Sequence, residues 1–462
     1  MSAPSSTPPP RPTRFADIRT EVPGPRSRAL VAAEREYLAP GTQALSQLAG
    51  IAVDHGQGAL LCDVDGNTFV DFVAGICVAS LGHGHPALAQ ALSDQAGRVA
   101  AGSFSSQPRL QLLERLARIT PYPALKRTQL YSGGAEAVES ALRLARSYTG
   151  KYEVVAFWGG FHGKTQGVLG LMGSEFKHGL GPLPPGSHLA PYADCYRCPF
   201  KLTHPSCGLA CVDFLRQVIR LNTTGSLAAI IVEPIQGTAG NVIPPDDWLP
   251  AVKSVAREFD ALLILDEMIT GFGRTGKMFG AEHYGVEADI MTFGKGVASG
   301  YPLTGLITTD ALVAPGRSEP WTKPSFSSSS YGGSPLAAAA GDAVTRVIVE
   351  DKLEVHAAEV GDALLAALRP LCDRYPFVGE VRGKGLMIAI ELVADKQTRA
   401  PLDRKTCEWI YLRCLRKGLL TMTYAPRVRI NPPLVISRDE ALEGVAILDE
   451  VFAELAARGP LL

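Results

Sequence analysis

Ala229-Ile230-Ile231-Val232-Glu233, Leu262-Leu263-Ile264-Leu265-Asp266 and Ile290-Met291-Thr292-Phe293-Gly294-Lys295 are three short apolar runs, each closing on a reactive side chain. Runs of four or five such residues, bounded by polar or glycine-rich turns, read as strands buried on both faces. A fourth run covers residues 154–157. Helical spacing alternates with these runs, at Val138, Ala141, Leu142 and Ala145, over 249–259, and earlier over 110–119. Strands alternating with helices predict an α/β fold around a mostly parallel sheet. In such sheets ligands bind beyond the carboxyl ends of the strands, so Glu233, Asp266 and Lys295 are expected to meet at one crevice.

Working outward, residues 1–20 open on a Pro- and Ser-rich stretch and are expected to form a disordered arm. Residues 21–75, with the turn Asp65-Gly66-Asn67 between two β-like runs, are assigned to an N-terminal segment of a smaller domain. Residues 76–340 form the large ligand-binding domain, closing on a Ser- and Gly-rich stretch over 322–335. Residues 341–462 complete the smaller α+β domain, with strands expected over 381–391 and 428–435. At 462 residues and a net charge of -1 the chain has room for a large core and no charge excess to capture nucleic acid or an anionic membrane. No run is long enough to span a membrane, and the opening stretch lacks the apolar core of a secretion signal. Nine cysteines, an odd count in so long a chain, do not resemble a disulfide scaffold, and a reducing cytoplasm is the simplest reading.

A lysine near an aspartate can be a plain structural ion pair. Three reactive strand ends together suit pyridoxal 5'-phosphate better: a lysine forms the Schiff base with its aldehyde, and a carboxylate keeps the pyridine nitrogen protonated. The same lysine, once released, can move a proton at the substrate carbon. Ser132-Gly133-Gly134-Ala135, directly before a helical stretch, offers unhindered N–H groups for the phosphate, although alone it could be an ordinary capped turn. Three look-alikes are set aside. Gly271-Phe272-Gly273-Arg274-Thr275-Gly276 matches a dinucleotide fingerprint but starts too far after its strand. Gly163-Lys164-Thr165 lacks the first glycine of a phosphate-binding loop, and His83 and His85 lack a third ligand. Cys195, Cys198, Cys207 and Cys211 have a spacing open to two readings: a four-thiolate zinc site, or a reduced loop that packs or forms a disulfide. The structural reading is the one adopted, with no metal assigned.

From about Glu21 onward the chain resembles the class III aminotransferases of the fold-type I pyridoxal-phosphate enzymes, most of all those acting on 4-aminobutyrate and related ω-amino acids. DVDGNTFVDFVAGICV, SGGAEAVESALRLARSYTG, FHGKT, IIVEPIQG, LDEMITGFGRTGKMF, TFGKGVASGYPLTG, GEVRGKGLMIAIEL and VRINPPLVI carry the resemblance, in order along the chain. It implies that Lys295 is the Schiff-base lysine and Asp266 the partner of the pyridine nitrogen. It places Phe161, before His162, on the cofactor ring, and Glu233 behind it. Gly134 and Ala135 take the phosphate with Ser330 of a neighbouring subunit, so a homodimer or homotetramer with shared sites is implied. Ile76 matches a wall of the substrate pocket, and Arg429 the arginine that grips the donor's α-carboxylate.

Three positions depart from the family pattern. Ala135 stands where a Ser or Thr is usual, and Ile269 where a glutamine is frequent. Thr238 replaces the glutamate that pairs with the arginine in 4-aminobutyrate enzymes when no α-carboxylate is bound. The leading expectation is amino transfer from glutamate or alanine to an aldehyde or keto acid. A racemase or epimerase on the same scaffold is the alternative, since similar cysteine-bearing inserts occur in such relatives. A decarboxylase ranks third, and a non-enzymatic binding module last, having no use for Lys295 beside Asp266.

Overall fold

Seven strands form the central sheet, in the spatial order Leu125–Tyr131, Thr304–Thr309, Ile290–Phe293, Leu262–Asp266, Leu227–Val232, Glu153–Phe157 and Ser187–Ala190. The last five are mutually parallel, and Thr304–Thr309 runs antiparallel to both its neighbours. The computed structural model describes residues 14–424 and 426–459. The three runs that lead to Glu233, Asp266 and Lys295 are adjacent strands, with Val232 level with Leu265 and Asp266 level with Thr292. Their carboxyl ends therefore lie side by side, as expected.

These runs are apolar throughout because both faces are covered. Ile231, Ile264 and Ile290 meet Val138, Ala141, Leu142 and Ala145 of the helix Gly134–Thr149. Ile230, Leu263, Leu265 and Met291 face a larger core that includes Leu249 and Val252 of Trp248–Glu258 and Ala337, Ala340 and Val344 of Pro335–Glu350. Each such side chain contributes about 1.5–3 kcal/mol on burial, so a polar substitution on either face would cost fold and site together.

A second, antiparallel sheet is built from Val378–Lys384, Met387–Asp395, Arg427–Ile430 and Met422–Tyr424. The single strand expected over 381–391 is a hairpin, because Gly385 at φ +52 reverses the chain where a side chain would strike the backbone of Thr275. The strand expected over 428–435 stops at Ile430, since Pro432 and Pro433 cannot donate to a ladder. A third sheet joins Val53–Gln57, Leu60–Asp63 and Thr68–Asp71 to Leu419–Leu420, bringing the first and last parts of the chain together.

Residues 1–13 of the expected arm lie outside those described. From Arg14 on, the rest of it is tied down: the amides of Phe15 and Ala16 each donate to Glu443 at 2.8 Å, and Asp17 bridges to Thr68. The break drawn between 340 and 341 falls inside the helix Pro335–Glu350, which packs on Pro86–Ala96 and Gln107–Ile119. The look-alikes have structural partners: His83 bonds Asp71 at 2.8 Å and His85 caps Pro86–Ala96. Gly276 lies against Ala358. Among the described residues no helix is long and apolar enough to cross a membrane.

Candidate active site

Asp266 ends its strand buried, and three groups hold its carboxylate. Thr292 Oγ1 and the Met268 amide donate to Oδ1 at 3.1 Å each, and His162 Nδ1 lies 2.7 Å from Oδ2. Thr292 is there because it occupies the paired register position on the next strand. For His162, burial opposes the imidazolium, but the bond to Asp266 and the charges of Asp266 and Glu233 outweigh it and raise its pKa. Glu233 takes the Phe161 amide at 3.0 Å and the Gly237 amide at 2.9 Å, bracing the loop that carries Phe161 and His162. Burial pushes its pKa above the usual carboxyl range.

Lys295 follows its strand by two residues, half-buried, in a left-handed backbone conformation at φ +46. Burial lowers its pKa, against the opposing pull of Cys77, Asp266 and Glu233, and the charge of Arg429 lowers it further. Those interactions place Lys295, Asp266, Glu233 and Arg429 in one electrostatic neighbourhood. Gly294 is required beside it, because a Cβ there would come 2.6 Å from Met268 Sδ.

Gly134 and Ala135 open the helix at the same end of the sheet. The Glu136 carboxylate accepts from the amides of Ser132 and Gly133 at 3.1 and 3.3 Å, while the amides of Gly134 and Ala135 have no partner within the helix. Gly163, at φ +122, passes so close that a Cβ would sit 2.5 Å from that of Ala135. Phe161 lies edge-on to Phe176, ring centroids 6.0 Å apart. Ser330 is exposed on the Ser- and Gly-rich segment. Ile76 sits in a turn whose four residues, Ala74 to Cys77, all have φ between +48 and +70. Asp71 supports this turn through the amides of Val73 and Ala74.

Arg429 is 1% exposed, on the strand Arg427–Ile430 of the second sheet. Its Nε donates to Asn241 Oδ1 at 3.3 Å, Nη1 reaches Met422 Sδ at 3.3 Å, and Nη2 lies 4.0 Å from Cys77 Sγ. Thr238, half-buried, lies in the same turn as Asn241. Sequence reasoning missed Asn241, Cys77, Met422 and Thr292. Only Thr292 carried a signal, as the polar residue within an apolar strand.

Cys195, Cys198, Cys207 and Cys211 line one hollow together with Tyr192 and His204, all as free thiols. Burial pushes Cys195 and Cys211 up to about 11. Among the described residues no group of three or more His, Cys, Asp or Glu is placed to hold a metal ion. The loop is tied to the second sheet instead, through Arg197 Nε on Glu391 at 2.6 Å and Arg399 stacked on Tyr196 at 4.7 Å.

The donor set fits pyridoxal 5'-phosphate. A half-buried lysine of lowered pKa, a hydrogen-bonded carboxylate and a glycine-opened helix N-terminus share one crevice, the three features this cofactor needs.

The family model described as "Aminotransferase class-III" matches residues 42–452. The acetylornithine aminotransferase of Methanothermobacter thermautotrophicus is 35% identical over 88% of this chain and 94% of its own length. The alanine/serine racemase of Pyrococcus horikoshii is 32% identical over 95% of this chain and 93% of its own. A PLP-bound amine transaminase from an uncultivated Pseudomonas species superposes with a TM-score of 0.85 at 32% identity, covering 91% of this chain and 98% of its own. The chain belongs to the class-III aminotransferases, enzymes that use pyridoxal 5'-phosphate to move amino groups.

Proposed function

We propose that this aminotransferase takes glutamate or alanine as amino donor and delivers the amino group to an aldehyde or keto acid. Bound pyridoxal 5'-phosphate supplies an aldehyde for the amine and a ring that accepts electrons. Lys295 carries the cofactor and moves the proton at the substrate carbon; burial lowers its pKa, which favours the neutral amine that a proton acceptor must be. Asp266, fixed by Thr292, Met268 and His162, holds the ring nitrogen protonated. Gly134 and Ala135 bind the phosphate with Ser330 of the partner subunit, Phe161 stacks on the ring, and Glu233 and His162 brace that contact from behind. Ile76 walls the substrate pocket, and Arg429 grips the donor carboxylate bidentately. Residues 76–340 serve as the cofactor-binding domain, with 21–75 joining 341–462 in the smaller one.

The observation that carries this reading is the buried Asp266, hydrogen-bonded at the end of a strand adjacent to the one that leads into Lys295. Nine free thiols accord with a cytoplasmic setting. The exposed aromatics Phe104, Phe326 and Tyr331, the last two on the segment that carries Ser330, accord with a homodimer or homotetramer. The second reading, racemisation or epimerisation, is favoured by the similarity to the alanine/serine racemase. The test mixes holoenzyme with L-glutamate or L-alanine and follows both cofactor colour and keto acid. One equivalent of keto acid per site supports transfer; loss of donor chirality without keto acid supports the racemase.

A further inference from the structure

The strand Thr68–Asp71 runs directly into the turn that carries Ile76, and its last residue, Asp71, is fully buried. Oδ1 accepts from the amides of Val73 at 2.7 Å and Ala74 at 2.9 Å, and Oδ2 lies 2.8 Å from His83 Nε2. A carboxylate only accepts, so that imidazole nitrogen is the donor. Asp71 is itself fixed by the sheet: its amide donates to the Ala59 carbonyl at 2.8 Å, and it pairs in register with Leu420.

A left-handed turn follows. Ala74, Gly75, Ile76 and Cys77 have φ of +48, +60, +70 and +63. Glycine accepts this region freely, whereas a β-branched residue there is an outlier that persists only where its surroundings impose it. Both ends impose it here. Asp71 takes the two amides that enter the turn, and the amides of Cys77 and Val78 close it on the carbonyls of Val73 and Ala74 at 2.9 and 2.7 Å. Downstream, the Leu81 amide donates to Ser299 Oγ at 2.9 Å, and a Cβ on Gly296 would come 2.6 Å from Ser80 Oγ. The turn is thereby docked on the segment that begins with Lys295. Cys77 lies within electrostatic reach of Lys295. Ile76, half-buried beside it, packs on the cluster that holds Val73, Leu420 and Met422.

We infer that Asp71 is a positioning residue for substrate size: by holding the left-handed turn it keeps Ile76 against the crevice, and the wall so formed admits a small substituent on the amine-bearing carbon and turns a branched one away. This rests on the reading of Ile76 as a wall of the substrate pocket. Without the carboxylate, the two entering amides lose their acceptor and Ile76 relaxes out of the left-handed region, which widens the pocket. Loss of a merely structural group would lower the turnover of every substrate alike.

The experiment compares wild-type holoenzyme with Asp71→Ala, Asp71→Asn, His83→Ala and Ile76→Ala. Asparagine keeps an oxygen for the two amides and is the conservative rescue. His83→Ala removes only the outer partner of the carboxylate, at a side chain 21% exposed, and carries the test if Asp71→Ala does not fold. Two quantities are measured: the ratio of kcat/KM for L-leucine to that for L-alanine, and hydrogen–deuterium exchange over residues 72–80 in protein without substrate. Ile76→Ala is expected to raise the leucine-to-alanine ratio by about tenfold or more, the scale on which a hydrophobic pocket separates substrates that differ by methylene groups. Asp71→Ala should raise the ratio in the same direction and speed exchange over the turn by about tenfold or more. His83→Ala should do both to a smaller extent, and Asp71→Asn should stay near wild type. Equal losses for leucine and alanine overturn the role of Asp71, as does unchanged exchange in Asp71→Ala, or in His83→Ala where Asp71→Ala does not fold. If Ile76→Ala leaves the ratio unmoved, the reading of Ile76 as a wall falls and the inference with it; if Ile76→Ala alone moves the ratio, only the inference about Asp71 falls.

Discussion

Lys295 occupies a backbone conformation, φ +46, that a side-chain-bearing residue adopts only when its surroundings impose it. The strand before it, the close approach at Gly294 and the buried 3-10 turn after it are those surroundings. Lys295→Ala is expected to abolish multiple turnover and the colour of the covalently held cofactor, while the phosphate contacts keep some cofactor bound; absorbance spectra with steady-state assays check both. Asp266→Asn keeps the shape but offers a neutral amide to the ring nitrogen, and kcat should fall by roughly a hundredfold or more with the fold intact by circular dichroism. Near-normal kcat would mean that another group serves the nitrogen. Glu233, Asp266 and Lys295 were legible because each ends an apolar run in one continuous stretch of chain. Asn241, Cys77 and Met422 were not, because a turn, a left-handed loop and a distant sheet edge bring them to Arg429 only in the folded chain.

Among the elements, the parallel strands were readable because burial on both faces leaves them no polar alternation. The strand Ser187–Ala190, at the sheet edge and only partly buried, has a mixed pattern that periodicity does not separate from loop. The reversal at Gly385 inside Val-Arg-Gly-Lys-Gly-Leu was hidden because one residue in the left-handed region suffices for it. The cysteine loop reaches from the large sheet to Glu391 through Arg197. With Cys195 and Cys211 pushed up to about 11, both thiols stay protonated at pH 8. A free cysteine titrates near 8.5, so alkylation of these two should be roughly a hundredfold slower than that of free cysteine. The rate should climb about tenfold per pH unit up to pH 10. Site-resolved mass spectrometry of iodoacetamide-treated protein reads this directly; fast labelling of Cys195 at pH 7 would show that its thiol is not held neutral.

At the scale of the whole molecule, the chain closes on itself through the sheet shared by Thr68–Asp71 and Leu419–Leu420, and Met422–Tyr424 just beyond it pairs with the strand that bears Arg429. The exposed Phe104, Phe326 and Tyr331, with Ser330 turned outward, predict that sedimentation gives twice the chain mass or a multiple of that. A monomer at micromolar concentration would remove Ser330 of the partner subunit from the phosphate site. If one lysine, at the end of one strand, carries the cofactor, borohydride reduction of the holoenzyme followed by peptide mass spectrometry locates it most directly. The pyridoxyl group should be recovered on the peptide containing Lys295 at close to one per chain, and be absent from that peptide in Lys295→Ala; its recovery on a different lysine of the native enzyme would contradict the account.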